Sequence, residues 1–158
     1  MLPNVKIRPA EPGDFPAMAS IRAGEWQSDA FWLDRIGGYL AGVHSPQHAL
    51  APRAAWVALR GDSVAGFVAG HLTRRFDCDG ELQWINVAAG YRGKGIADQL
   101  LAVMLDWFRQ HNAARVCVNV EPGSEIARRF YARHGAVPMG PHWMLWRNLP
   151  QMPVLFGP

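Results

Sequence analysis

Glycines and basic residues are concentrated in one short stretch of the chain, Gly90-Tyr91-Arg92-Gly93-Lys94-Gly95-Ile96-Ala97. The stretch joins an apolar segment that ends at Val87 to the longest amphipathic segment of the chain. Glycines allow a backbone to bend and to approach a ligand closely, and the start of a helix presents unpaired N–H groups together with the positive end of the helix dipole. These residue types in this order therefore predict a site that binds an anion.

Two well-known phosphate-binding loops fit this stretch poorly. A nucleotide-binding P-loop has Ser or Thr after its Lys to hold magnesium, whereas Lys94 is followed by Gly95. A dinucleotide-binding loop has the spacing G-x-G-x-x-G, and the segment that starts at Gly93 has Asp98 in place of the third glycine. The stretch is thus not a P-loop, and it matches the dinucleotide pattern only weakly.

The segments around the glycine-rich stretch predict the elements that position it. Short apolar or alternating segments predict strands at residues 5–8, 54–59, 64–72, 81–87, 116–120, 137–139 and 143–146. Apolar residues at three- and four-residue steps predict helices after Asp14, from about 29 to 40, over 97–108 and from about 124 to 134. Asp14 is predicted to cap the first helix, and residues 41–53, which lose periodicity, are predicted to form a loop. The resulting order is β-α-α-β-β-β-α-β-α-β-β.

The composition bounds the class of protein. The chain has 158 residues, of which 49% are hydrophobic and 18% are charged, and these values exclude disorder and fit one domain with a single core. No apolar run reaches the length of a membrane span, and the start of the sequence lacks the apolar segment of a signal peptide. A soluble, cytoplasmic protein without a membrane partner is therefore expected. The net charge of +3 suits an anionic ligand, but the basic residues are scattered and do not indicate nucleic acid.

Cysteine and histidine usage argues against a disulfide and against a metal site. Cys78 lies in a polar turn and Cys117 in a Val-rich strand, and these unlike settings make a disulfide unexpected. The histidines, among them His71 and His134, share no spacing typical of metal ligands and are interpreted as surface or hydrogen-bonded residues. The segment Asp77-Cys78-Asp79-Gly80 is similar to part of a calcium loop but lacks the remaining ligands. No metal is predicted.

Three motifs carry a resemblance to a known family. The pattern Arg92-x-x-Gly95-x-Ala97 resembles the coenzyme A signature Q/R-x-x-G-x-G/A of the GNAT (general N-acetyltransferase) superfamily. The opening from Ile7 to Asp14 is similar to I-R-P-A-x-x-x-D with one extra residue, and the segment from Phe130 to Ala136 resembles f-Y-e-k-x-G-F, with Ala in place of the final Phe. The predicted element order is also that of the GNAT fold. The resemblance implies that residues 1–158 form a single GNAT domain of mixed α/β (α+β) class, with a central, mostly antiparallel mixed sheet flanked by helices.

The same resemblance implies acetyl-CoA as a cosubstrate. In this family, backbone N–H groups at the start of the third helix bind the diphosphate, and the N–H near Val87 points at the thioester oxygen. Ser124 occupies a position at which the family often has an Asn in contact with the cofactor, although a Ser there also caps a helix. The implied cofactor-binding residues are Val87, Arg92, Gly93, Lys94, Gly95, Ile96, Ala97 and Ser124.

Two residues are implied in catalysis by their positions in the family motifs. Glu81 stands six residues before Val87, the position of the general base in histone-type members, and the alternative is a solvated carboxylate at a turn. Other members have a basic Glu in the following strand, where this chain has Asn119. Tyr131 matches the tyrosine that many members use to protonate the coenzyme thiolate, and the alternative is a core tyrosine.

The implied activity is an N-acetyltransferase in which a primary amine, on a small molecule, a peptide or a protein, attacks the thioester directly. The acceptor is not identified. One hypothesis is an aromatic pocket walled by Trp26, Phe31, Trp32 and Trp84, in which Glu25 or Asp29 attracts the amine. The alternatives are an acyl-CoA-binding regulatory domain without activity and, less favoured, a KH-like nucleic-acid-binding module suggested by the G-x-x-G of Gly90 to Gly93. The oligomeric state, including a homodimer, stays open.

Overall fold

Seven strands of the described chain form one mixed sheet. The computed structural model describes residues 4–24 and 28–150. The strands are β1 (Lys6–Pro9), β2 (Ala49–Arg60), β3 (Ser63–Thr73), β4 (Gly80–Val87), β5 (Val116–Asn119), β6 (Val137–Pro138) and β7 (Trp143–Trp146). They lie side by side in the order β1-β2-β3-β4-β5-β7-β6. All neighbours are antiparallel except β4 and β5, which are parallel, so the predicted mixed, mostly antiparallel sheet is confirmed.

Helices cover both faces of this sheet. They are α1 (Phe15–Ala23), α2 (Asp29–Leu40), α3 (Ile96–Gln110) and α4 (Glu125–Arg133). Successive residues of a strand point to opposite faces, and β3 is buried on both. Val68 belongs to the core cluster that contains Leu100 of α3, whereas Phe67 belongs to the cluster that contains Met18 of α1. Along the chain these helices and strands follow the predicted order β-α-α-β-β-β-α-β-α-β-β, which is thus confirmed. No helix in the described ranges combines the length and the apolar character that crossing a bilayer requires.

Two glycines of the sheet allow α3 to lie close to it. A Cβ on Gly70 would be 2.8 Å from the Cε of Met104, and a Cβ on Gly80 would be 2.5 Å from the ring of Phe108. Met104 and Phe108 are fully buried, as the predicted apolar stripe of this helix requires. The packing of α3 on the sheet fixes the position of its N-terminal end, which carries the glycine-rich stretch.

The last five residues of the predicted loop over residues 41–53 belong to a strand instead, because β2 begins at Ala49. Its pairing with β3 shifts between Leu50 and Arg53. Pro52 lies inside this irregularity, where the ladder does not need the N–H that proline lacks. The length of β2 is thus set by its partner β3, which the local sequence pattern does not reveal.

Asp14 does not cap α1, contrary to the prediction. A single turn, Pro12–Asp14, precedes the helix, and the Asp14 side chain makes no capping bond to α1 but belongs to the capping box of that turn. Its carboxylate instead accepts two hydrogen bonds of 2.7 and 2.9 Å from the Arg8 guanidinium and one of 2.8 Å from the Glu11 N–H. Such a two-pronged, charge-assisted contact is stronger than a neutral cap, and it joins β1 to the start of α1.

The two cysteines are closer than their sequence settings suggest. Cys78 and Cys117 are both buried free thiols, and they share a small core cluster with Leu145 of β7. Cys78 follows a tight turn before β4, and the parallel pairing of β4 with β5 brings that turn beside Cys117. The predicted turn and strand settings are thus present, but the sequence did not reveal that both thiols are buried in one cluster.

Candidate active site

The parallel strands β4 and β5 separate part of the way along the sheet. They pair only at the three positions from Gly80 to Leu82, opposite Val116 to Val118. The strand β4 then continues to Val87, whereas β5 ends at Asn119. The pairing of β4 with β3 also shifts at Gln83, between Leu82 and Trp84, as expected for a bulge. A wedge-shaped gap therefore opens in the middle of the sheet.

Backbone groups of β4 face this gap. The Ala88 N–H donates to the Ala65 carbonyl on the β3 side at 2.8 Å. Because hydrogen-bonded and non-hydrogen-bonded pairs alternate along an antiparallel ladder, Ile85 and Val87 direct their N–H and C=O groups away from β3. The Val87 carbonyl accepts a hydrogen bond from the Nε of Arg92 at 3.0 Å. The Val87 N–H thus points toward the space that β5 leaves.

The glycine-rich stretch lies at the wide end of the gap. Gly93 and Gly95 have φ values of +75° and +85°, a region that residues with a Cβ rarely adopt. These two turns of the backbone direct the chain into α3, which begins at Ile96. A cavity of about 360 Å³ is lined here by Val87, Tyr91, Arg92, Gly93, Gly95, Ile96, Ala97, Asp98, Ile126, Phe130 and Arg133. Of the predicted binding stretch, only Lys94 is not part of this lining.

The helix α4 closes the other side of this cavity through charged contacts with α3. Asp98 accepts hydrogen bonds from Arg133 at 2.6 Å and from His134 at 2.7 Å. Burial by itself would raise the pKa of Asp98, but these hydrogen bonds outweigh burial and lower it. The negative charge of Asp98 beside the predicted anion site is therefore balanced by its partners on α4. Ser124 caps this helix, because its Oγ accepts a hydrogen bond from the Ala127 N–H at 3.3 Å. Ser124 lines neither this cavity nor the larger one described next.

A larger cavity of about 750 Å³ lies against the narrow end of the gap. Its lining includes residues of β4, Glu81 among them, and of β5, together with Arg22 and Tyr131. Tyr131 is 7% exposed. Burial raises the pKa of Tyr131 to about 12, against an opposing effect of the positive charge on Arg22. The phenol thus stays protonated at neutral pH. The structure brings both predicted catalytic side chains, Glu81 and Tyr131, to one cavity.

Glu81 is not a solvated carboxylate, so that alternative interpretation is wrong. The side chain is 6% exposed, and its Oε1 accepts a hydrogen bond of 2.8 Å from the Nε of Arg75. The Nε2 of His71 lies 3.7 Å from the same oxygen, and its Nδ1 is 2.7 Å from the hydroxyl of Tyr39. When Tyr39 donates to Nδ1, a neutral imidazole carries its proton on Nε2, which faces Glu81. A buried polar row, Tyr39-His71-Glu81-Arg75, therefore ends at the cavity.

His71 in this row was missed by the sequence analysis, although a signal for it existed. His71 stands five residues before Phe76 and Glu81 five residues after it. A hairpin that turns at Phe76 pairs them, and they are direct partners in the structure. His71 is fully buried, so its interpretation as a surface residue is wrong, while the hydrogen-bonded alternative is correct.

The aromatic acceptor pocket is only partly present. Trp84 lines the larger cavity, but Phe31, Trp32 and Asp29 do not. The Asp29 carboxylate accepts instead from the hydroxyl of Ser20. Glu25 and Trp26, the other members of this hypothesis, lie outside the described residues. The described residues contain no group of three or more His, Cys, Asp or Glu side chains that could hold a metal ion.

Comparison with known proteins gives consistent similarities. The profile of the acetyltransferase (GNAT) family matches residues 13–136. Mycothiol acetyltransferase of Corynebacterium diphtheriae is 28% identical over 121 residues, which cover 75% of this chain and 33% of that protein. The chain thus spans about a third of the length of this curated relative.

Solved structures show the same fold. Ard1 from Thermoplasma volcanium superposes with a TM-score of 0.70 at 21% identity, covering 93% of this chain and 99% of that one. The PaiA N-acetyltransferase from Thermoplasma acidophilum, solved in complex with coenzyme A, has a TM-score of 0.67 at 13% identity, covering 92% of this chain and 99% of that one. The mixed sheet flanked by helices is therefore a fold that these structures share.

Proposed function

Because the chain belongs to the acetyltransferase (GNAT) family, we propose that it is an acetyl-CoA-dependent N-acetyltransferase in which a primary amine attacks the thioester directly. One observation carries this proposal. Beyond the pairing of β4 with β5, the free edge of β4 has one cavity at Val87, beside the glycine-rich start of α3, and the cavity of Glu81 and Tyr131 at Trp84 and Ile85. Two cavities along one strand edge give a path that suits a long thioester which must meet an acceptor at its end.

Acetyl-CoA fits the residues that line this path. Its diphosphate would be held by the main-chain N–H groups from Gly93 to Ala97 and by the positive end of α3, with Arg92 adding charge. Lys94, which is exposed, would contribute from the rim. Ser124 is better explained by its cap than by cofactor contact. The cosubstrate supplies the activated acetyl group, and the protein supplies binding and orientation.

Val87 is assigned to the thioester oxygen. Negative charge grows on this oxygen as the amine attacks, and a fixed N–H donor directed at it lowers the barrier. The Val87 N–H is held rigidly by the pairing of β4 with β3 and points away from β3 into the gap. Since it is a backbone group, no substitution at this position except proline removes it.

Glu81 and Tyr131 are assigned to the two proton transfers. An acceptor amine is protonated at neutral pH and must lose a proton before its lone pair can form the new C–N bond. Glu81 would accept that proton through water, held in place by Arg75 and His71. As the C–S bond breaks, the leaving thiolate would take the proton of the Tyr131 hydroxyl, which its raised pKa keeps available.

Thiol release from acetyl-CoA across a panel of amino acids, polyamines, aminoglycosides and peptides tests this function. We expect turnover with at least one amine and kinetics in which both substrates bind before any product leaves. A ping-pong pattern would contradict direct attack. Calorimetric binding of coenzyme A without turnover on any amine would favour the regulatory acyl-CoA-binding domain, and absence of binding would refute both. The KH-like alternative is dropped, because Gly90 to Gly93 belong to the loop that enters α3 of an acetyltransferase fold.

A further inference from the structure

One wall of the larger cavity, formed by α1 and α2, carries an arginine without a counter-charge. Arg22 lies in the last turn of α1, and its guanidinium sits 4.8 Å from the ring centre of Trp32. Its Nε is buried and has no hydrogen-bond partner among the described residues. Burial lowers the pKa of Arg22, which reflects a cation removed from water and left unpaired.

A second arginine stands on the same wall. Arg35 is three residues after Trp32 on α2, so both side chains lie on one face of that helix. Arg22 covers the ring of Trp32, and Arg22 and Arg35 line the same cavity. Neither forms an ion pair within the described residues.

The remaining charges around the cavity do not balance this wall. The carboxylate of Glu81 is neutralised by Arg75 at 2.8 Å. His44 pairs with Asp34 at 3.2 Å. Glu121 also lines the cavity, but it is exposed and follows β5, across the gap from the helices. A partly buried guanidinium without an anionic partner is unfavourable, whereas an oxyanion that binds it in a two-pronged geometry is favoured.

We propose that Arg22, assisted by Arg35, binds an oxyanion of the acceptor, so that the acceptor is an amine that also carries a carboxylate or a phosphate. This inference rests on the proposed function, because the same cavity would hold the reacting amine. Arg22 and Tyr131 line the same cavity, so the oxyanion site and the group assigned to the leaving thiolate face one space. An acceptor that carries both an amine and an acid, as an amino acid does, would place one group at Arg22 and the other in the same cavity. Polyamines and aminoglycosides, which are only cationic, do not.

Matched acceptors test the proposal. Thiol release would be measured with the amino acids and their amides, and with O-phosphoethanolamine and ethanolamine. We expect the acidic member of at least one pair to have a kcat/KM about 10-fold or more above that of its counterpart without the acidic group, in line with a hydrogen bond to a charged group. The pair that shows the difference identifies the oxyanion as carboxylate or phosphate.

Substitution of the arginine assigns the effect to this wall. Arg22→Gln should raise KM for the preferred acidic acceptor by about 10- to 100-fold, so that the preference for the acid over its matched counterpart is largely lost while KM for acetyl-CoA is unchanged. Arg22→Lys keeps the charge and should retain part of the preference. Arg60→Gln, at an exposed position outside the cavity lining, is the matched control and should change nothing. Thermal melts would verify that all variants are folded.

The outcomes separate this inference from the proposed function. Turnover of amides or polyamines as fast as of the acids, or an acid preference that survives in Arg22→Gln, overturns the inference and leaves the acetyltransferase activity intact. If coenzyme A binds but no amine turns over, calorimetric titration of that complex with the same acids decides: heat that Arg22→Gln abolishes supports the oxyanion site, and absence of heat refutes it. Absence of both coenzyme A binding and turnover refutes the proposed function and this inference together.

Discussion

Replacing Arg75 with Met should destabilise the protein strongly, because it strands a buried carboxylate. The guanidinium Nε is 2.8 Å from Glu81 Oε1, and the two side chains are only 16% and 6% exposed. Without it, the nearest basic atom recorded for Glu81 is the His71 Nε2 at 3.7 Å. Removing one partner of a buried pair costs about 3–5 kcal/mol. At about 2–4 °C per kcal/mol for a chain of this size, the melting temperature should fall by about 6–20 °C.

An exposed ion pair of nearly the same length provides the control. Arg109 contacts Asp106 on α3 at 2.7 Å, but their side chains are 23% and 55% exposed. Arg109→Met should therefore cost no more than about 1 kcal/mol. The double variant Arg75→Met with Glu81→Leu removes both buried charges, and it should recover most of the stability lost in the single variant.

Urea unfolding monitored by circular dichroism gives the free energy of unfolding for the wild type, for Arg75→Met and Glu81→Leu alone, for the double variant and for Arg109→Met. The coupling energy between Arg75 and Glu81 should exceed about 1.5 kcal/mol. A loss in Arg75→Met that equals the loss in Arg109→Met would refute the buried-charge argument. The double variant also separates stability from catalysis: if Glu81 is the base, this folded protein should still show a kcat lowered by about 100-fold or more.

Three further changes have defined outcomes. Tyr131→Phe should lower kcat about 100-fold or more with little change in stability. The phenol acts as an acid in its protonated form, and burial raises its pKa to about 12. The contribution of Tyr131 to kcat should therefore persist as the pH rises from 7 to about 10. Gly66→Ala puts a methyl group 2.8 Å from a backbone oxygen of β4. This variant should lower the free energy of unfolding by about 1–3 kcal/mol and weaken coenzyme A binding. Gly13→Ala, whose methyl group would lie in open space, is the control and should do neither. Asp14→Asn should lower the melting temperature at neutral pH. The hydrogen bond from Arg8 depresses the pKa of Asp14 below its ordinary value of 3.8. The stabilisation by the charged Asp14 is therefore lost as the pH falls through the depressed pKa, and the difference from wild type should shrink below pH 3.8.

Each of these expectations can fail plainly. An unchanged kcat in Tyr131→Phe removes that residue from the proton transfer. Equal unfolding free energies for the Gly66→Ala and Gly13→Ala variants would mean that β3 and β4 tolerate separation. A pH-independent difference between Asp14→Asn and wild type in thermal melts would show that the charge of Asp14 does not contribute.

Local patterns in the sequence predicted most of the fold. The three- and four-residue steps of Leu100, Met104 and Phe108 predicted α3, since a helix buries one face at that period. The glycines at 93 and 95 predicted a turn before it, because left-handed φ values are available to glycine at little cost. Both features depend only on residues close together in the chain.

The candidate site was predicted in part. The glycine-rich stretch and Tyr131 could be assigned from motifs and lie at the two cavities. The surroundings of Glu81 could not, because Arg75 and His71 approach it only when β3 and β4 pair across the turn at Phe76. Arg22 gave no signal, because its cavity exists only when α1 and α2 pack against the sheet.

The sequence by itself therefore determined most of the helices and strands and the glycine-rich turn before α3, whose causes are the period of apolar side chains and backbone geometry. Tertiary structure alone decided where β2 begins, that β4 and β5 part at Leu82, and which charges are neutralised. The physical reason is distance. Hydrogen bonds and ion pairs act over a few ångströms in space, and residues that are far apart in the chain reach that separation only after the sheet has assembled.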